Sequence, residues 1–145
     1  MQRNVELERV ADIFVGEWTL TITNQWWVDD LTAVVSGTAI GEWLGDSFVR
    51  LQAEIGGEPT WDFVFGRSDA RDEFVVLYHD ERGVLRVFEL TLQDVDWTMS
   101  RTDPDFHQRL VGRVEGDRIL GQADASEDRG TTWRKDFDLL FERVR

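Results

Sequence analysis

Two hydrophobic periods divide the chain. Between residues 4 and 14 the apolar positions Val5, Leu7, Val10, Ile13 and Phe14 fall on one helical stripe. Asn4 stands where an N-cap belongs, Glu6 and Glu8 occupy the first turn, and Gly16 is the expected stop. From there the period is two. "WTLTITNQW" places Trp18, Leu20, Ile22 and Trp26 on one face and Thr19, Thr21 and Thr23 on the other. Further strand-like runs cover 33–44, 47–55, 60–66, 73–79, 84–92, 95–101, 107–115, 118–124 and 132–143, separated by turn formers such as "GGEP", "DERG", "TDPD", "EGD" and "SEDRG". Such short links suit hairpins and leave no length for parallel crossovers or a Greek key. The pattern predicts an all-β fold of about ten antiparallel strands in a meander, closed into a barrel so that no edge is left unpaired.

The chain has 145 residues, enough for one core, so a single domain spans 1–145: a helix at about 4–14 capping one end, and the barrel at about 16–144. No internal repeat is visible.

Composition narrows the chemistry. No run is long and apolar enough for a membrane helix, and "MQRNVELERV" is not a leader, so a cytoplasmic protein with no membrane partner is expected. There is no cysteine, hence no disulfide, thiolate site or cysteine nucleophile. The formal charge of -13, from 29 acidic and 16 basic residues, repels phosphate backbones, so nucleic acid is not an expected partner. Of the basic residues only Lys135 is lysine. Seven Trp and nine Phe supply large buried area and are also the residues that line ligand cavities.

Two local patterns resemble known ones. "SEDRGTTW", Ser126 to Trp133, resembles the Asp-box hairpin of sialidase-type propellers. With no repeat of about 40 residues a propeller is not expected, and the box reads as the closure of the last hairpin: the Asp128 carboxylate accepts from turn N–H groups, Gly130 takes positive φ, and Trp133 packs over the loop. Gly16-x-Trp18 in "FVGEW", at a helix-to-strand junction, resembles the opening signature of calycin barrels, the lipocalin and fatty-acid-binding-protein group. "YHDERG" and "SEDRGTTW…DFDLLFERV" extend the likeness to a family of small uncharacterised bacterial calycin-like proteins. The resemblance implies that Trp18 packs at the closed end near an arginine of the last strand, Arg143 or Arg145. In the calycin-like nitrobindin group a C-terminal histidine holds haem, but "WRKDFDLLFERVR" has none, so no cofactor is expected.

Alternation then proposes a lining. Trp61, Phe63 and Phe65 share one inward phase; so do Phe88, Leu90 and Leu92; Trp97 and Met99 share theirs with Arg101; Trp133, Phe137, Leu139 and Phe141 share theirs with Lys135. The candidate ligand-binding set is Trp26, Trp61, Phe63, Phe88, Trp97, Met99, Arg101, Trp133 and Lys135. It would hold a small, largely apolar molecule, with Arg101 or Lys135 neutralising a carboxylate or phenolate. The competing reading puts both cations at strand ends, reaching water. Catalytic residues are not assigned: an enzyme would use His79 or His107, with Asp62 a further acid/base candidate, yet Tyr78 and His79 face opposite ways on a strand. Asp103, Asp105 and His107 have metal-ligand chemistry, but "TDPDFH" is turn chemistry, and no metal is expected. A third alternative is a filled barrel that works as an interaction module. Trp27, opposite Trp26, would point outward and could serve a homodimer.

Overall fold

In the computed structural model, residues 4–25, 33–56, 60–71 and 73–144 are described. The Asn4 carboxamide accepts the N–H groups of Glu6 and Leu7, starting helix α1 (Val5–Phe14) as its position predicts. Leu7, Val10, Ala11 and Phe14 form the buried stripe. Each of the three larger side chains adds about 1.5–3 kcal/mol of burial.

Ten strands follow: β1 (Gly16–Thr23), β2 (Val35–Leu44), β3 (Phe48–Ile55), β4 (Trp61–Arg67), β5 (Phe74–His79), β6 (Leu85–Gln93), β7 (Asp96–Arg101), β8 (His107–Glu115), β9 (Arg118–Ser126) and β10 (Arg134–Arg143). Each pairs antiparallel with its sequence neighbours, and β1 pairs with β10, so the meander closes into a barrel. The expected fold class is therefore the observed one. Helix α1 packs against β2, β3 and β4 and covers one end. Its Phe14 stacks on Phe65 at 4.9 Å and meets Trp97 edge-on at 5.5 Å.

The helix end is sealed by the residues of the Gly-x-Trp signature. Trp18 Nε1 donates to the carbonyl of Phe14 at 3.0 Å, and the Arg143 guanidinium lies 4.2 Å over the Trp18 ring while donating to the carbonyl of Val15 at 2.8 Å. A Cβ on Gly16, whose φ is 141°, would sit 2.3 Å from Arg143 Nη1, which is why glycine stands there. Arg145 lies outside the described residues.

Parity holds on most strands but fails on the last. Between Lys135 and Phe137 the β10 register slips by one residue against β9: Lys135 pairs with Asp124 and Phe137 with Ala123. This bulge keeps Phe137, Leu139 and Phe141 inside and turns Lys135 outward, where it pairs with Asp138 at 3.1 Å. Trp133 precedes the strand and is 37% exposed. The inward placement expected for Trp133 and Lys135 is therefore corrected, because an inserted residue resets the phase that alternation assumes.

The Asp-box loop has the expected chemistry. Asp128 accepts from the N–H and hydroxyl of Thr132 and from Ser126 Oγ, Gly130 has φ 86°, and Trp133 Nε1 donates to the carbonyl of Gly130.

Candidate functional site

The predicted lining residues divide between two levels of the barrel. Trp61, Phe63, Trp97 and Met99 surround one internal cavity together with Phe14 and Leu139, and their rings leave only about 20 Å³ of it open. That is room for about one water molecule. Phe88 is buried in the same core. These aromatics thus pack against one another across the barrel, Trp61 of β4 reaching Phe137 of β10 at 5.8 Å between ring centroids. Trp26 and Trp27 lie outside the described residues.

The end opposite α1 is chemically different. The inward phase of β6 runs from Leu90 and Phe88 to Arg86, and that of β7 from Met99 to Arg101. Register sets Tyr78 of β5 beside Arg86. The result is one connected strip. Trp61 contacts Phe63 at 6.4 Å, Phe63 contacts Tyr78 at 5.2 Å, and the Arg86 guanidinium lies 5.6 Å from the Tyr78 ring and 5.1 Å from that of Phe106. Arg101 closes the strip, 4.5 Å over the same Phe106 ring.

The two arginines are balanced differently. Arg101, 6% exposed, donates from Nη2 to Asp103 at 2.6 Å and to Asp105 at 3.2 Å, and from Nη1 to the carbonyl of Phe106 at 3.3 Å. Arg86 makes no hydrogen bond or ion pair to any described residue. Burial, and next the charge of Arg101, hold its pKa below the usual arginine value. Sequence reading stopped at Phe88 and missed Arg86, although the same alternation, carried two residues further, points to it.

Neighbouring polar groups are mostly committed. The Tyr78 hydroxyl donates to Asp80 at 2.6 Å, and Arg82 grips the same carboxylate, which has no exposed side-chain surface. The Arg82 bonds hold Asp80 well below the usual carboxylate range, while burial pushes the Tyr78 phenol up. Gln108 donates to Asp136 at 3.3 Å. The side-chain oxygen of Gln25, a residue 3% exposed, has no partner among the described residues.

Of the acid/base candidates, the structure brings His79 and Asp62 together and places His107 elsewhere, beside Trp133. His79 points off the outer wall, 47% exposed, with Nε2 3.6 Å from Asp62, whose carboxylate is held by Arg50 through two bonds of 3.1 and 2.6 Å. His107 rests near the ring of Trp133 at 6.5 Å, on β8. Asp103 and Asp105 turn toward Arg101. Among the described residues, no group of three or more His, Cys, Asp and Glu side chains is arranged to hold a metal ion. Nor is any helix long and apolar enough to cross a membrane.

No family model matches the sequence, and no curated protein matches it either. The fold does have a solved counterpart. The crystal structure of Rv2717c from M. tuberculosis superposes with a TM-score of 0.71, covering 99% of this chain and 100% of that one at 9% sequence identity. At that identity the likeness establishes a shared ten-stranded barrel architecture and nothing finer.

Proposed function

We propose that this is a calycin-like binding protein that takes a small, largely apolar molecule carrying one anionic group, at the barrel end opposite α1. The reading rests above all on Arg86: a half-buried cation on the inner wall, unpaired among the described residues, at the end of an aromatic strip. A guanidinium placed there gains from an anionic group brought beside it, at the same mouth as Arg101. In a protein of charge -13, Arg86, with no carboxylate partner among the described residues, is a local positive charge that would select anions over neutral molecules, while Asp103 and Asp105 balance Arg101. Rings packed below this level favour a ligand lying across the mouth over one threaded along the axis.

One observation favours a second reading. The small residual cavity between Trp61 and Phe14 is what a filled barrel acting through its outer surface would show. Native mass spectrometry of the purified protein, followed by fluorescence titration with anilinonaphthalene sulfonate and its neutral analogue phenylnaphthylamine, separates the two. The binding reading expects the sulfonate to bind at least about tenfold more tightly, and Arg86→Gln to abolish that preference while sparing the neutral probe. Equal affinity for both probes, unaffected by Arg86→Gln, would leave the surface-acting barrel as the better account.

A further inference from the structure

Arg50, Arg82 and Arg101 are among the arginines that hold carboxylates, and Arg101 does so poorly. Arg50 uses its side-on edge, Nε and Nη2 reaching the two oxygens of Asp62 at 3.1 and 2.6 Å. Arg82 grips Asp80 in the same manner, at 3.2 and 2.7 Å. This is the geometry that gives two charge-assisted bonds to one planar anion.

Arg101 departs from it. Asp103 and Asp105 both crowd Nη2. Its Nε is buried and has no partner among the described residues. A buried donor left without an acceptor is costly, so this arrangement is short of its optimum. The Asp103 and Asp105 side chains are 53% and 63% exposed and lose little by returning to water. Phe106, the next residue, lies over both Arg101 and Arg86.

We propose that residues 102–106, "TDPDF", are a displaceable stand-in for the ligand's anionic group. An incoming carboxylate or sulfonate takes the free Nε of Arg101 together with Nη2, Asp103 and Asp105 return to water, and Phe106 swings away from Arg86. The segment therefore sets both affinity and selectivity: a neutral apolar molecule has nothing with which to replace the two aspartates, and leaves the mouth closed. This deepens the binding reading above and rests on it.

The test replaces Asp103→Asn together with Asp105→Asn in the full chain. A control changes net charge equally at the helix end, through Asp12→Asn with Asp46→Asn. Removal of the stand-in is expected to tighten anilinonaphthalene sulfonate binding about tenfold, while phenylnaphthylamine and the control pair change by less than about twofold. In the wild type, saturating sulfonate should accelerate amide hydrogen exchange at 102–106. No gain in the mouth variant, or an equal gain in the control, overturns the stand-in. A wild type that still prefers the sulfonate in that case leaves the binding site itself standing. A wild type with no preference removes both ideas together.

Discussion

Replacing Arg86 by methionine should make the protein more stable, because a half-buried charge with no carboxylate partner among the described residues is a residue kept for something other than folding. The Cζ atoms of Arg86 and Arg101 lie 5.1 and 4.5 Å from the centroid of the Phe106 ring, so the two charges are less than about 10 Å apart. At that separation, with an effective dielectric constant of about 20, their repulsion is about 1.7 kcal/mol. Asp103 and Asp105, both bonded to Arg101, offset most of it, so the burial of Arg86 is the larger cost, and with water at the mouth screening it about 1 kcal/mol is left. Methionine keeps the unbranched stem, and its thioether can contact the Tyr78 ring favourably, which offsets part of the two arginine–ring contacts it removes. The expected outcome for Arg86→Met is a gain of about 1 kcal/mol in urea denaturation and a midpoint about 3 °C higher on heating. The gain should shrink in 1 M salt, where the screening length falls to about 3 Å. Loss of stability by 1 kcal/mol or more would refute the reasoning, since Arg86 would then be a structural strut. Higher stability combined with lost selectivity for the sulfonate is the pattern of a binding residue.

Two further outcomes test the frame around the site. A Cβ on Gly112 would lie 2.0 Å from Cε2 and 2.2 Å from Cζ2 of Trp97, a ring 3% exposed and packed on Phe14; Gly112→Ala should therefore cost about 3 kcal/mol in urea denaturation, and a loss below about 0.5 kcal/mol would show that the ring has room to move. Asp128 is lowered from 3.8 to about 2 by its bonds to Thr132 and Ser126, so its contribution is fully present above pH 4 and is lost as the pH falls through about 2. Asp128→Asn should flatten the pH dependence of thermal stability in that window, and an unchanged slope would detach the carboxylate from the stability of the hairpin.

The sequence by itself determined the elements. A helical stripe ending before Gly16, then alternation broken only by short turns, leaves an antiparallel meander as the economical arrangement, because each strand buries one face and each link is too short to cross over. It also placed Trp61, Phe63, Trp97, Met99 and Arg101 on the inner wall, since parity is a local property of a pleated strand.

What needed the tertiary structure was whatever depends on register between strands or on one inserted residue. Nothing in "TTWRKDF" announces the bulge that sends Lys135 outward while Phe137 stays inside, because a bulge is defined against its partner, β9. The strip from Trp61 to Arg101 joins β4, β5, β6, β7 and the segment after β7, and the positions of 61, 78, 86, 101 and 106 along the chain give no sign that they meet. Only the register of β6 against β7 put a second arginine under the same phenylalanine as the first. Only the tertiary structure, by giving one of them two aspartates and the other none among the described residues, distinguishes an occupied cation from a free one.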